Sequence, residues 1–356
     1  MAAKRDRHTL VEVARMYYID DLDQGAIGER LGLSKSSVSR ILSAAKDAGI
    51  IEVRIVGDDT VQRDRDLEAR LSSAFGLKRA YVARESTVVD PVTAASRLAA
   101  GVFVDRAPRA MRIGFGWGLT VQRMIESIPS LRLGAERTLT SLVGGMPTVD
   151  TGTSGNNMLV SLAEKSGTRS ERFDAPAVVE SELTWRALMG ETSVKSALER
   201  AQGSELAFVG IGTFGVHTSR LVLESMRLSD EERAAFEAQL PAGDMCGHYY
   251  RIDGSPIGPP ASHRVIGLTL AQLAAIPTVV GIASGTERLN GVRGALATGA
   301  LDILCADAAL ARALLETQDS AAGEGGPSGE DSGPDASSEA REFRLWRCPN
   351  CGHVHA

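Results

Sequence analysis

The sequence predicts an α/β protein in which a small all-α unit precedes a larger unit with a mostly parallel sheet. At the N-terminus, apolar residues recur with helical spacing. Further on, short β-branched strands alternate with helices and end in glycine, which is typical of a parallel sheet covered by helices on both faces. Only 4% of the 356 residues are aromatic and 43% are hydrophobic, so the core must consist mainly of Ala, Val, Leu and Ile.

Three short helices are predicted in the N-terminal unit. The first runs from His8 to Tyr18, and the second follows Asp23, whose side chain can cap it. The second helix ends at Gly32, where a left-handed conformation costs least, and Ser34 can cap the third helix. Two helices joined by such a turn predict a helix–turn–helix.

The outer face of the third helix carries hydroxyl and basic side chains. No Asp or Glu occurs from Ser34 to Lys46, although acids are frequent on either side. Short hydroxyls and cations at the start of such a helix reach base edges and phosphates in the major groove. The alternative is that these serines only form a solvated helix cap. We expect DNA to contact Ser34, Lys35, Ser36, Ser37, Ser39, Arg40 and Lys46.

In the larger unit, strands and helices alternate along the chain. The predicted strands are "KRAYVAR", "MRIGFG", "TLTSLVG", "ELAFVGIG", "TVVGIAS" and "LDILCAD". The predicted helices are "VTAASRLAAGVFVDRA", "LTVQRMIESI", "MLVSLAEKSG", "SVKSALERAQ", "SDEERAAFEAQL" and "TERLNGVRGALATG".

These patterns divide the chain into five segments. Residues 1–56 form the helix–turn–helix domain, which ends on a predicted strand, "IIEVRIV". A charged linker helix covers 57–76 and the α/β domain covers 77–316. Residues 317–340 are Gly, Ser, Pro and acid with almost no large apolar side chain, so they predict a disordered linker before a Cys/His tail at 341–356.

Glycine-rich loops follow several predicted strands. In "MRIGFGWGLTVQRMI", Gly116 and Gly118 allow main-chain amides to face an anion, and Thr120 adds a hydroxyl at the helix start. The same pattern is also typical of an ordinary tight turn between strand and helix. Because the carboxyl ends of parallel strands share one edge, we expect such loops to converge on one crevice.

Charged residues near these loops are candidates for the same crevice. Arg264 and Arg288 can bind a phosphate or carboxylate, and Asp244 and Glu287 can accept hydrogen bonds from sugar hydroxyls. Each of them can equally form a surface ion pair. The predicted effector-binding residues are Gly116, Trp117, Gly118, Thr120, Gly144, Gly145, Gly212, Thr213, Asp244, Arg264, Gly285, Glu287 and Arg288.

From about Val13 to Leu315 the chain resembles the SorC family of bacterial transcriptional regulators. The resemblance is carried by "ARMYYIDDLDQGAIGERLGLSKSSVSRILSAAKDAGIIEVRI", "IGFGWGLT", "SLVGG", "FDAPAVVES", "ELAFVGIGT", "GDMCGHYYRIDG", "HRVIGLTLAQLAAIP" and "GTERLNGVRGAL", in this order. It implies a DNA-binding domain followed by a sugar-binding effector domain with a fold like that of sugar-phosphate isomerases and CoA transferases. It also implies a homodimer or homotetramer that binds operator DNA and responds to a phosphorylated sugar or polyol.

The sequence departs from the family pattern at three places. Some members have a lysine before the Gly-Gly of "SLVGG" that forms an imine with an aldehyde sugar, and this chain has Val143 there, so covalent capture is not expected. The family's usual Asn-Asp before "RVIG" is replaced by Ser262-His263. The loop "MPTVDTGTSGNN" also differs, and its Asn156 and Asn157 can contact a ligand or cap the next helix.

Two alternative functions stay open at this point. A sugar-phosphate isomerase or deaminase would need a base near the glycine loops, for which Asp244, His248 and His263 are candidates without diagnostic spacing. Such an enzyme has no need of a helix–turn–helix, so we expect a regulator without enzymatic activity. The second alternative is a metal-responsive regulator.

That alternative depends on the C-terminal "RCPNCGHVHA". Cys348 and Cys351 have the spacing of a zinc knuckle, and His353 and His355 offer two further ligands. No second, distant ligand pair follows, so a redox-sensitive or unremarkable tail is the competing interpretation. We expect no required cofactor, with zinc at this tail as an open possibility.

Composition also limits the compartment and the partners. A formal charge of −6 argues against a protein that coats nucleic acid uniformly, but it allows a local basic face. No apolar run is long enough for a transmembrane helix and no signal-peptide pattern begins the chain, so we expect a cytoplasmic protein without membrane contact. Cys246 and Cys305 are expected to be small core residues.

Overall fold

The chain forms two compact units, Met1–Thr60 and Val61–Ala356, which are described separately. The computed structural model describes residues 7–20, 22–48, 50, 61–145, 155–323, 346–347 and 354–355. Residues 51–56 of the predicted strand "IIEVRIV" and most of the predicted linker at 317–340 lie outside the described residues.

The bounds of the regular elements are as follows. The α-helices are α1 Arg7–Tyr18, α2 Gln24–Leu31, α3 Lys35–Asp47, α4 Arg65–Phe75, α5 Pro91–Arg106, α6 Leu119–Ser127, α7 Gly155–Ser166, α8 Glu182–Gly190, α9 Thr192–Gln202, α10 His217–Ser225, α11 Asp230–Glu237, α12 Leu270–Ala274, α13 Leu289–Ala297 and α14 Ala308–Gly323. The strands are β1 Arg79–Ala83, β2 Arg112–Phe115, β3 Thr138–Ser141, β4 Arg169–Glu171, β5 Leu206–Gly210, β6 Gly212–Thr213, β7 Gly243–Met245, β8 His248–Tyr250, β9 Val279–Ile282, β10 Ile303–Asp307, β11 Trp346–Arg347 and β12 Val354–His355. Short 3-10 helices cover Ala107–Arg109, Ala261–Arg264 and Thr286–Arg288.

The first unit contains the predicted helix–turn–helix. Helices α1, α2 and α3 enclose one small apolar core, made of Leu10, Val13, Met16, Ile27, Val38, Ile41, Leu42 and Ala45. Asp23 caps α2, since its Oδ1 accepts hydrogen bonds from the amides of Gly25 and Ala26 at 2.7 and 2.8 Å. Three helices with one shared core explain why so short a segment can fold.

The turn between α2 and α3 requires glycine at two positions. Gly32 has a φ of 65°, a conformation that favours glycine. Gly28 faces the turn, where a Cβ would lie 2.5 Å from the carbonyl oxygen of Leu33. That oxygen cannot easily move, because the amide of Leu33 donates to the carbonyl of Gly28 at 2.8 Å.

The second unit is built on a seven-stranded parallel sheet in the order β1-β10-β9-β5-β2-β3-β4. The six strands predicted for this unit are present, as is the alternation with helices. The prediction missed β4, which has three residues, and the small antiparallel sheet β6-β7-β8. Because β2 lies between β3 and β5, the chain reverses its direction of travel across the sheet at β2 and β5.

The sheet has an apolar layer on each face, as strand periodicity requires. Within β5, Ala207 and Val209 belong to one core cluster, and Leu206 and Phe208 belong to the other. Phe208 stacks on Phe115 of β2 with ring centroids 5.7 Å apart. The central strands are therefore buried on both sides, and binding sites can form only at their ends.

Helix α4 is a packed element of the second unit, although the sequence suggests a linker helix at 57–76. Leu67 and Leu71 are buried in the main core cluster. Glu68 is also buried, because its carboxylate accepts the amide of Val82 at 3.1 Å and pairs with Arg63 at 2.6 Å. At the other end of the chain, α14 extends to Gly323, into the segment predicted as a disordered linker.

Replacing Gly28 by Ala should unfold the first unit without disturbing the second. The added Cβ meets a main-chain oxygen, and such overpacking costs about 1–3 kcal/mol, a large share of the stability of a small domain. Hydrogen exchange by mass spectrometry should show faster exchange in peptides from α1–α3 and no change in peptides from 61–316.

Gly101→Ala provides the matched control, since a Cβ at this exposed helical position meets nothing within 4 Å. It should leave exchange in both units unchanged or slower. Equal exchange in Gly28→Ala and the wild-type protein would contradict the close packing at the turn.

Candidate functional site

A cleft opens at the ends of β2 and β5, where the sheet order reverses. After β2 the chain packs into the cluster that holds Val121 and Met124, whereas after β5 Ile211 joins the cluster on the opposite face. The two loops diverge and leave a crevice between them, as expected at a topological switch point. The lining comes from both loops and the start of α6, from the segments around Val143 and Ala177, and from helix α10, the small sheet and the 3-10 helix after β9.

The cleft has about 660 Å³ of free volume, including the open solvent at its mouth. The lining residues are Trp117, Gly118, Leu119, Thr120, Val143, Ala177, Val178, Gly210, Ile211, Gly212, Thr218, Ser219, Val222, Asp244, Cys246, Gly247 and Arg288.

One end of the cleft has the properties of an anion site. Helix α6 begins at Leu119, directly after Gly118, whose φ of 127° favours glycine. The first amides of a helix have no acceptor within it, and its dipole attracts negative charge. Thr120 adds a buried hydroxyl, and a Cβ at Gly210 would lie 3.1 Å from both Thr120 Oγ1 and the carbonyl oxygen of Trp117. A side chain at position 210 would crowd both atoms, so glycine favours the close approach of the two loops.

Two residues of opposite charge, the buried Asp244 and the half-buried Arg288, form a charged pair in the same cleft. Asp244 makes hydrogen bonds to Ser219 and to the main chain of Gly247, but burial outweighs them and raises the pKa of its carboxyl group. Arg288 Nη1 donates to the carbonyl of Ile211 at 3.0 Å, and burial lowers the pKa of the guanidinium. Among the described residues, Asp244 Oδ1 and Arg288 Nε are buried without a hydrogen-bond partner. These two atoms can bind a ligand with little loss of protein contacts.

Six of the predicted effector-binding residues line the cleft together: Trp117, Gly118, Thr120, Gly212, Asp244 and Arg288. Two others lie directly behind it. The carbonyl of Gly144 accepts the indole N–H of Trp117 at 2.5 Å, and a Cβ at Gly116 would lie 3.3 Å from Cys246 Sγ. These glycines shape the wall without lining it.

The remaining predicted residues lie outside the lining. Arg264 is buried and paired with Glu232 at 2.6 Å, and the amide of Gly285 donates to Asp307. Thr213 is buried, and its hydroxyl has no described partner. Gly145 and Glu287 do not line the cleft either; Glu287 Oε1 lies 4.0 Å from Arg288 Nε.

The sequence interpretation missed the contribution of α10. Thr218, Ser219 and Val222 all line the cleft from this helix. The available signal was a hydroxyl pair three residues after Gly215, but "HTSRLVLES" is too short to show clear helical periodicity. Ala177 and Val178 were missed because they belong to no helix or strand.

The two histidines considered as catalytic bases line a different cavity, together with Trp185 and Val265. Burial lowers the pKa of His248 to about 4. His263 stacks on Trp185 with ring centroids 4.5 Å apart, and its Nδ1 lies 3.0 Å from Glu182. Neither histidine shares the cleft with Asp244.

The two cysteines in the described residues are free and buried, as predicted for core residues. Burial raises the pKa of Cys246 to about 12, so its thiol stays protonated although it lines the cleft.

The predicted DNA-reading residues form a solvent-facing surface at the start of α3. Ser34, Lys35, Ser36, Ser39 and Arg40 are exposed and Ser37 is half-buried. The hydroxyl of Ser34 accepts the amide of Ser37 at 3.2 Å, so this residue does cap the helix. Capping does not remove the other side chains from the surface. The side chain of Lys46 lies outside the described residues.

The zinc hypothesis for the tail stays a prediction. Cys348, Cys351 and His353 lie outside the described residues, and of His355 only the strand position is described. Within the described part of the chain, no group of three or more potential metal ligands occurs. The described helices include none with the length and apolarity needed to cross a membrane.

Comparison with known proteins gives consistent matches over most of the chain. Residues 59–316 match the family described as "Putative sugar-binding domain". The chain is 27% identical to the transcriptional regulator LsrR of Klebsiella pneumoniae subsp. pneumoniae, over 88% of this chain and 94% of the relative. It is 25% identical to the deoxyribonucleoside regulator of Bacillus subtilis, over 86% and 96% respectively.

Solved structures show the same similarity. The full-length sorbitol operon regulator SorC of Klebsiella pneumoniae has a TM-score of 0.64 and 26% identity, covering 86% of this chain and 98% of that chain. This similarity covers most of the chain and is to a regulator solved over its full length.

The buried carboxyl group of Asp244 should leave a pH signature. Because burial raises its folded-state pKa, its contribution to stability is complete below the ordinary carboxyl pKa and is lost as the pH rises through the folded-state pKa. Urea unfolding of the wild-type protein and Asp244→Asn between about pH 4 and pH 7 should show the wild type losing stability relative to the variant. A wild type that gains stability over the variant across this range would mean that the charged partners outweigh burial.

Proposed function

The chain belongs to the SorC family of transcriptional regulators, and from that premise we propose that α3 binds operator DNA under the control of a phosphorylated sugar or polyol bound in the cleft. One observation carries the effector assignment. The glycine-bounded start of α6 lies in the same cleft as Asp244 and Arg288, which each have a buried polar atom without a described partner. A phosphate at the helix start and hydroxyls at the charged pair fit this arrangement.

The DNA assignment is supported by the surface of α3. Its exposed first turns carry Lys35, Ser36 and Arg40, and the first turn of the helix contains no Asp or Glu. A recognition helix contacts base edges with its N-terminal residues. Helix–turn–helix proteins bind two half-sites as dimers, so we propose a homodimer or homotetramer that acts on operator DNA in the cytoplasm.

The effector controls operator binding if it binds one DNA-binding state of the protein more tightly than another. A ligand shifts an equilibrium only by its difference in affinity for the two states. The effector and the operator must then change each other's affinity by the same factor.

We propose that the cleft binds its ligand without turnover. Asp244 has no histidine beside it in the cleft lining, since His248 and His263 line another cavity. Conversion of a bound sugar phosphate, followed by NMR, would overturn this part of the proposal.

Arg40→Ala should weaken binding to an operator selected from a random duplex library by about tenfold or more, because one good base contact contributes about 1–3 kcal/mol. Arg15→Ala removes the same charge from the exposed face of α1 and serves as the control, with a smaller loss that is similar for all duplexes. Operator affinity is measured by fluorescence anisotropy at fixed salt. Equal losses of affinity in the two variants would show that α3 does not recognise the operator sequence.

Thr120→Val should weaken sugar-phosphate binding by about tenfold, because it deletes a hydroxyl at the anion site while keeping the shape of the side chain. Thr213→Val is the control, since Thr213 is similarly buried and lies outside the lining. Ligand binding to the two variants is measured by thermal shift with a panel of sugar phosphates and by competition with inorganic phosphate. Unchanged binding in Thr120→Val would exclude the start of α6 as the anion site.

A further inference from the structure

A second cavity lies apart from the cleft. It contains both His248 and His263, is termed the histidine cavity here, and has about 960 Å³ of free volume including the open solvent at its mouth. Its walls come from α8, from β8 and the segment after it, and from the stretch between the 3-10 helix Ala261–Arg264 and the start of α12. No described residue lines both the cleft and this cavity, so a ligand here does not compete for the contacts of the effector.

The histidine cavity has none of the fixed charges that bind a phosphate. Among the described residues that line it there is no Lys, Arg, Asp or Glu. His248 is neutral, because burial lowers its pKa to about 4. The Nδ1 atom of His263 lies 3.0 Å from Glu182, so any proton on this ring is matched by a carboxylate. An uncharged ligand is therefore favoured over a sugar phosphate.

Aromatic and aliphatic side chains form most of the wall. The indole N–H of Trp185 donates to the carbonyl of Val265 at 2.8 Å, and His263 stacks on this indole with ring centroids 4.5 Å apart. The ring of Tyr249 is fixed as well, because its hydroxyl donates to the carbonyl of Ser219 at 2.6 Å. A flat apolar ring fits such a wall, since aromatic faces stack on one another. The aliphatic side chains beside these rings are Met189, Pro256, Ile257 and Leu270.

One polar atom of this wall has no partner. His248 Nε2 is buried without a hydrogen-bond partner among the described residues. The imidazole makes a hydrogen bond to the main chain of Gly267 that favours its protonated form, so the ring donates and the carbonyl accepts. Because Nε2 is unpartnered, the donating nitrogen is Nδ1, and Nε2 of the neutral ring carries a lone pair. A ligand with one N–H or O–H group can make the hydrogen bond that the protein leaves open.

From this combination we propose that the histidine cavity binds an uncharged aromatic ring compound whose N–H or O–H group donates to His248 Nε2. The ring extends the aromatic surface of Trp185 and His263, and the donor satisfies the buried imidazole. The inference adds a second ligand to the protein and does not depend on the function proposed for the cleft.

The test compares two matched pairs of probes on the full-length protein, indole with benzofuran and phenol with toluene. Within each pair the shape is the same and only the first compound carries the donor. At least one donor compound should bind about three- to tenfold more tightly than its partner, because it gains one hydrogen bond. Equal or weaker binding of both donor compounds would overturn the inference.

Fluorine NMR of protein labelled with 5-fluorotryptophan measures this binding and locates it. Trp185 lines the histidine cavity and Trp117 lines the cleft, so each site has its own reporter. Indole should shift the Trp185 resonance, leave the Trp117 resonance in place and resist displacement by inorganic phosphate. A shift confined to Trp117, or displacement of indole by phosphate, would overturn the location.

Variants of His248 test the role of the imidazole. His248→Asn keeps a donor near the position of Nδ1 and removes the acceptor at Nε2, so the preference for indole over benzofuran should disappear. His248→Gln places an amide oxygen near the position of Nε2 and should retain part of the preference. An undiminished preference in His248→Asn would overturn the assignment of Nε2 as the acceptor.

A variant that narrows the cavity provides a second test, in case the His248 variants do not fold. Ala271 is exposed on α12 and lines the cavity, so Ala271→Phe should weaken indole binding by about tenfold or more. Ala274→Phe is the control, because Ala274 is exposed on the same helix and does not line the cavity. Equal indole binding in the two variants would overturn the inference.

A second copy of the chain is the competing occupant of this surface. In that case none of the four probes shifts the Trp185 resonance, and Ala271→Phe lowers the mass of the assembly in analytical ultracentrifugation whereas Ala274→Phe does not. That result would overturn the inference in favour of an interface between copies.

Discussion

The strand order of the parallel sheet is the constraint on which the candidate site depends. Because β5 returns to pair with β2, the loops after these two strands leave the sheet towards opposite faces. The gap between the two loops therefore results from the strand order and does not depend on particular side chains. Gly118 and Gly210 then favour a close approach of the main chain, and the start of α6 lines the gap.

Within this gap the protein leaves polar atoms unsatisfied. A buried charge normally has partners for all its polar atoms, and one unsatisfied group costs about 1–3 kcal/mol. Asp244 and Arg288 depart from this rule in the cleft, and the nearby main chain supplies only part of their hydrogen bonds. Stability is lower here than a fully satisfied site would allow, and a ligand that supplies the missing partners restores it. Under the proposed function, ligand binding at this site would thereby stabilise one conformation.

Periodicity and turn chemistry were sufficient to predict most of the architecture. The six long strands of the sheet and the helix–turn–helix follow from alternating or helical spacing, and Gly32 adopts the expected left-handed conformation. Strands as short as β4 and β6 contain too few residues to show alternating hydrophobicity. They can be recognised only from their pairing with other strands in the structure. The sequence analysis placed the start of the α/β domain at residue 77, whereas the second unit of the structure begins at Val61. The charged sequence of α4 suggests a linker, but Leu67 and Leu71 of this helix are buried in the main core cluster of the second unit.

The candidate site was predictable to a similar extent. Glycine loops at strand ends identified Trp117, Gly118, Thr120 and Gly212 because strand ends of a parallel sheet must meet. Arg264 illustrates the limit, since its pairing with Glu232 depends on a contact between distant segments that no local pattern encodes.

The coupling between cleft and operator tests the account most directly. Affinity for a selected operator should be measured at fixed salt for the full-length wild-type protein and for Thr120→Val, with and without a saturating sugar phosphate. The account predicts a change in operator affinity of about fivefold or more in the wild type, and a much smaller change in the variant. An operator affinity that does not respond to any bound sugar phosphate, or that responds equally in both proteins, would contradict it.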